Sequence, residues 1–68
     1  MNNHRFEIYI MYNSTPVVLH GFANAKNSLT RNVNYLKEVM QEFPDSYLGC
    51  YIKVKDNKLG TEEKINVF

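Results

Sequence analysis

The chain has 68 residues, one cysteine and a formal net charge of +1. This length allows a single domain, residues 1–68, and a domain this small buries only about 60% of the surface that its unfolded chain exposes, so a homodimer is the expected source of added stability. One cysteine excludes a disulfide within the chain, and the balanced charge argues against a strongly basic nucleic-acid binder and against an acidic nucleic-acid mimic.

An alternating apolar run predicts the first strand at residues 6–12. Both faces of this strand are apolar, since the side opposite the expected core still carries Tyr9. Turn-forming residues at 13–16 predict a hairpin into an antiparallel second strand at 17–22. His20 lies in that strand and is interpreted as a partly buried, hydrogen-bonded histidine.

One amphipathic helix follows, because apolar residues recur every three or four positions until about Phe43. Asn24 is the expected N-cap, with Ser28 as the alternative. Tyr35 lies to one side of the apolar stripe and is either a boundary residue or a second exposed contact. The stripe itself contains Ala25, Leu29, Val33, Leu36, Met40 and Phe43.

A third strand is predicted over residues 47–55. Its alternation would hide Leu48 and Cys50 and turn Tyr47 and Tyr51 outward. After a polar turn comes the weakest of the four strands, which contains Ile65, Val67 and Phe68.

The order strand, strand, helix, strand, strand predicts an α+β fold, a two-layer sandwich in which one helix packs on one face of an antiparallel sheet. A helix of this length spans about 27 Å and the strands span about 25 Å, so the helix can lie along the whole sheet. Because one helix covers only one face, the second face must meet solvent or a partner.

The residues that could support chemistry are few and scattered. A zinc site needs three or four close ligands, and Cys50, His4 and His20 are the only soft ones. The hydroxyl groups fall in turns or caps, and no glycine-rich phosphate loop is present. We therefore expect no catalytic residue, cofactor, metal or small-molecule substrate, and the chain is predicted not to be an enzyme.

Hydropathy gives no sign of a membrane partner. The sequence contains no run of 18 apolar residues, and its first residues lead into an alternating strand rather than into an apolar signal core. A soluble, cytoplasmic protein is the expectation.

The outer sheet face is the remaining candidate for function. Tyrosine is enriched in protein interfaces and in stacking platforms for unpaired bases, so the face predicts a protein-binding module or, alternatively, a protein that binds single-stranded nucleic acid. A third interpretation is that the tyrosines pack only against one another and against aliphatic stems. The predicted partner-binding residues are Tyr9, Met11, Tyr47, Tyr51, Lys53 and Lys55.

In its length, its bias towards asparagine and lysine, its economy of elements and its lack of a catalytic set, the chain resembles the small anti-defence proteins of phages and other mobile elements, including anti-CRISPR inhibitors. The resemblance concerns the whole chain and no particular residue. It implies a steric or allosteric inhibitor of a host defence complex, such as a CRISPR effector, that acts in the host cytoplasm.

Overall fold

The computed structural model describes residues 4–68 and has the predicted element order. Its elements are β1 (Phe6–Tyr12), β2 (Thr15–Ala23), α1 (Lys26–Glu42), β3 (Cys50–Asp56) and β4 (Thr61–Ile65). The strands form one antiparallel sheet in the order β2-β1-β3-β4, and α1 packs on one face of it. The predicted α+β fold is confirmed.

The core lies between α1 and the two central strands. Alternate residues of β1 and β3 point towards the helix, and the middle of the predicted helix stripe meets them. The buried cluster contains Phe6, Ile8, Ile10, Ala23, Val33, Leu36, Met40, Ile52 and Val54. The prediction that Ala25 and Phe43 belong to the buried stripe is wrong, because both residues flank the helix and are exposed.

The helix begins without a side-chain cap. Its N-cap is Ala25, which has the extended dihedral angles φ −130° and ψ 155° and no side chain able to accept a hydrogen bond. Asn24, the predicted cap, instead accepts a hydrogen bond from the backbone N–H of Arg5 through its Oδ1, at 3.2 Å. A long-range contact to the chain preceding β1 has therefore replaced the local capping contact.

The third strand begins later than predicted, at Cys50. The backbone N–H of Tyr47 donates to the carbonyl oxygen of Pro44 at 3.3 Å, and that of Cys50 donates to the carbonyl oxygen of Tyr47 at 2.9 Å, so this segment is turn. Gly49, with φ +80°, ends it. Leu48 was expected to be hidden but is 79% exposed, whereas Cys50 packs against the core as predicted.

Two irregularities interrupt the pairing of β2 with β1, between Ile8 and Tyr9 and between Ile10 and Met11. Each leaves one extra residue in β2, Val17 or His20, so the simple alternation expected for this strand fails. His20 is consequently exposed rather than partly buried.

The chain beyond β4 returns to the helix. Val67 follows the strand rather than belonging to it, yet it packs against the core, and its carbonyl oxygen accepts a hydrogen bond from Gln41 Nε2 at 3.3 Å. Phe68 is 62% exposed. Within residues 4–68, no helix combines the length and the apolar character needed to cross a membrane.

Candidate functional site

The sheet face turned away from α1 is called the open face here. Its side chains follow from the register, because residues paired across antiparallel strands share a face and Phe6, Ile8 and Ile10 occupy the other one. The open face comprises Glu7, Tyr9 and Met11 of β1, Pro16, Leu19 and Phe22 of β2, Tyr51, Lys53 and Lys55 of β3, and Glu62 and Lys64 of β4.

Five of the six predicted partner-binding residues lie together on the open face. Tyr9 pairs with Lys53 and Met11 pairs with Tyr51 across the central strands, and Lys55 is the next residue of the same face. Alternation placed them correctly because β1 and β3 pair without interruption from end to end.

Tyr47 is the sixth, and its predicted place is wrong. It lies in the turn before β3, and its side chain packs against the core cluster on the helix side of the sheet. The prediction assumed that side chains alternate between the two faces from residue 47 onwards, but this segment is not a strand. Tyr47 therefore contributes to the stability of the domain and is not part of the open face.

Met11 reaches the open face but is only 4% exposed. Its neighbours across the ladder are Tyr51 and Pro16, on opposite sides of β1. Part of the apolar excess inferred for this face is therefore buried within the monomer, and Met11 supports its neighbours rather than offering a contact of its own.

Tyr9 is held by charged neighbours. Its hydroxyl donates a hydrogen bond to Glu7 Oε1, and Lys53 Nζ lies 5.0 Å from the centroid of its ring. The hydrogen bond from Tyr9, followed by that from Asn57, lowers the pKa of Glu7, and the same bond to Glu7 raises the pKa of Tyr9. Lys53 also reaches Glu62 Oε2 at 3.7 Å.

Tyr51 is fixed in a comparable way at the other end of the face. Its hydroxyl donates to the carbonyl oxygen of Asn13 at 2.5 Å, and Lys64 Nζ lies 4.6 Å from its ring centroid. Both tyrosine rings thus carry an ammonium group over one face, which is a favourable cation–π arrangement.

β2 also contributes to the open face, which strand alternation alone did not predict. Leu19 is 42% exposed and Phe22 is 37% exposed, and the ring of His4 stacks on Phe22 with centroids 4.4 Å apart and planes 20° apart. Pro16, beside the irregularity between Ile10 and Met11, and Gly21, beside that between Ile8 and Tyr9, are signs of broken alternation that could have revealed these positions.

A groove of about 380 Å³ separates the first half of α1 from the β3–β4 hairpin. Asp56 lines it, but its carboxylate already accepts hydrogen bonds from the Arg5 guanidinium, at 3.3 and 3.4 Å, and from the backbone N–H groups of Lys58 and Leu59. The Asp56 carboxylate is therefore occupied by hydrogen bonds within the domain and is not a free ligand for a molecule in the groove. The part of the chain that the structure describes contains no cluster of three or more potential metal-ligating side chains.

Comparison with protein-family models, with curated proteins and with solved structures finds no match to this chain.

Proposed function

We propose that this chain is a non-enzymatic protein-binding module whose partner covers the open face. The observation that carries the proposal is a sheet face, left uncovered by the single helix, on which the exposed apolar side chains Leu19 and Phe22 of β2 lie beside Tyr9 of β1, with Tyr51 on the next strand of the same face. Apolar and aromatic surface rimmed by charges is the usual composition of a protein interface.

The charges of the open face favour a protein over a nucleic acid. Lysines 53, 55 and 64 are accompanied by two carboxylates, Glu7 and Glu62. Lys53 is paired with Glu62, and Lys53 and Lys64 also lie over tyrosine rings. A face that binds phosphates gains affinity from several unpaired cations, and stacking of bases needs accessible ring faces. The single-stranded nucleic-acid alternative is therefore the less well supported of the two.

The resemblance to small anti-defence proteins suggests the class of partner. We propose a host defence complex, such as a CRISPR effector, that the module blocks sterically or holds in an inactive state. This role needs a rigid, complementary surface and no chemistry, which agrees with the hydrogen bonds that fix Tyr9 and Tyr51.

The test compares the wild-type chain with Tyr51→Asp, which places a charge on the open face. The immobilised proteins are incubated with lysate of the native host, and the retained proteins are identified by mass spectrometry. We expect a retained protein whose affinity falls by at least about 30-fold with Tyr51→Asp, the size of a typical interface hot spot.

Leu48→Asp is the matched control, because it makes the same charge change at an apolar residue that is 79% exposed and lies outside the open face. Circular dichroism establishes that each variant is folded, and Lys55→Glu replaces Tyr51→Asp if the latter unfolds. Equal retention by all variants would contradict the proposal, as would tight, salt-sensitive binding of fluorescent single-stranded DNA or RNA.

A further inference from the structure

The two edges of the sheet differ in charge. The edge strand β4 is five residues long and contains Glu62, Glu63 and Lys64, and such charges protect an edge from pairing with another chain. The opposite edge strand, β2, is nine residues long and contains no Asp, Glu, Lys or Arg. Pro16 and the two irregularities interrupt the outer edge of β2, but this edge carries no charge, so of the two it is the one that can lie against another strand without burying charged side chains.

Apolar surface continues from β2 onto the helix. Val18 pairs with the core residue Ile10 and so lies on the helix side of the sheet, yet it is 47% exposed, and its neighbour Val17 is 62% exposed. The ring centroids of His20 and Tyr35 are 6.5 Å apart. The side of α1 that carries Tyr35 is therefore the side next to the β2 edge.

That flank of α1 is also apolar. At 100° per residue, Val39 follows Tyr35 on the same side of the helix, and Phe43, the C-cap residue, comes four residues later, just beyond the last turn. Tyr35 is 60% exposed and Phe43 is 55% exposed. These two aromatic side chains alone expose on the order of 200 Å². The exposed apolar side chains of β2 extend this surface towards the roughly 800 Å² per partner that a standard interface buries.

We propose that the β2 edge and the adjoining flank of α1 form the interface with a second copy of this chain. The two copies are related by a two-fold axis near His20 and Tyr35, so that their β2 strands lie antiparallel and their helices lie side by side over one continuous sheet. An uncharged strand can meet its own copy without opposing like charges.

The outward charges of α1 agree with this arrangement. Arg31 lies in the first half of the helix, and Glu38 and Glu42 lie in the second half. None of the three makes an ion pair within residues 4–68. A two-fold axis reverses the second helix, so Arg31 of each copy comes beside Glu38 and Glu42 of the other. A parallel arrangement would bring like charges together.

This interface is separate from the proposed open-face function. It needs no residue of β3, and it extends the open face across both copies because each Leu19 lies next to the two-fold axis. Tyr51→Asp should therefore leave the dimer intact, and loss of the dimer does not by itself remove the open face of each monomer.

The self-association of the full chain is measured by sedimentation velocity and by size-exclusion chromatography with light scattering. We expect wild type to form a dimer. Arg31→Glu and the double variant Glu38→Arg with Glu42→Arg should each weaken self-association by about tenfold, because like charges then oppose each other twice across the axis. An equimolar mixture of these two variants should form heterodimers with at least the wild-type affinity.

Two controls accompany the charge variants. Lys37→Glu makes the same charge change as Arg31→Glu on the opposite flank of α1, beside Glu63 and Ile65, and should leave the dimer unchanged. Val18→Lys should give a folded monomer, whereas Val18→Thr, which is β-branched and uncharged, should keep the dimer.

Three results would overturn the proposal: a wild-type monomer at all concentrations up to about 1 mM, a dimer that survives Val18→Lys, or a mixture of charge variants that associates no better than either alone. If Val18→Lys does not fold, the charge variants decide the matter, because their positions on α1 are exposed.

Discussion

Asp56 illustrates how single side chains hold this small domain together. It is the only charged residue of the described chain that is buried, at 8% exposure. Its carboxylate joins Arg5, which precedes β1, to the backbone N–H groups of Lys58 and Leu59 in the turn that leads to β4. One ionised group therefore fastens the start of the described chain to the β3–β4 hairpin.

The ionisation of Asp56 should be visible in the pH dependence of stability. The hydrogen bonds from the Arg5 guanidinium hold the pKa of Asp56 below its usual range, with a smaller contribution from the backbone of Leu59 and Lys58. Because the folded-state pKa is the lower one, the stabilisation is fully present above the ordinary Asp pKa of about 3.9 and is lost as the pH falls through the lowered value. Asp56→Asn should therefore reduce the urea midpoint at neutral pH and bring it closer to that of wild type in acid.

Asp45→Asn is the control for this experiment, since Asp45 is exposed in the loop before β3. The lowered pKa of Glu7 contributes acid sensitivity of the same sign in both proteins, so the difference between wild type and Asp56→Asn isolates the buried carboxylate. If the urea midpoints of wild type and Asp56→Asn differed by the same amount at every pH, the stabilising role assigned to ionised Asp56 would be contradicted.

At the scale of elements, the helix lacks the usual stabilising features at its N-terminus. Its N-cap residue offers no hydrogen bond to the free backbone N–H groups, and its first turn contains no acidic residue. Those N–H groups carry partial positive charge and favour an acceptor or an anion. The stability of α1 must then come mainly from burying Val33, Leu36 and Met40 against the sheet.

Ala25→Asp should stabilise the domain by about 1 kcal/mol, because the Ala25 backbone already has extended N-cap geometry and the new carboxylate can accept from the first turn. The free energy of unfolding in urea measures the effect. Asn34→Asp, the same new charge in the middle of the helix, should change stability little. If both substitutions had equal effects, capping would not be the cause.

At the scale of the whole molecule, one core supports the entire domain. A chain of 68 residues has a free energy of unfolding of about 3–10 kcal/mol, so the loss of one central side chain is a large fraction of it. Leu36, at 2% exposure, belongs to the buried cluster, whereas Leu48 is 79% exposed.

Leu36→Ala should cost about 3 kcal/mol and leave a substantial fraction of the protein unfolded, because the removed atoms leave a cavity against β1 and β3. Leu48→Ala should change the free energy of unfolding by less than about 0.5 kcal/mol. Thermal and urea unfolding followed by circular dichroism compare the two. Similar losses would contradict the burial described for these leucines.

Much of the fold and part of the candidate site could be predicted from residue patterns. Alternation placed Tyr9 and Tyr51 on one face because β1 and β3 pair without interruption. The same reasoning failed for Tyr47, which lies in a turn. It also failed for His20, where β2 gains a residue relative to β1. Alternation predicts the face of a side chain as long as the strand is regular, and it fails at a bulge or a turn.

The sequence by itself determined the order of the elements, the α+β architecture and the existence of more apolar surface than one helix can cover, because hydrophobic periodicity reflects local backbone geometry. Only the tertiary structure decided that Met11 is buried, that Leu19 and Phe22 join the open face, and that β2 is an uncharged edge beside Tyr35. Those outcomes depend on which strands become neighbours and in what register. Both are set by contacts between residues that are distant in sequence, and local periodicity does not contain that information.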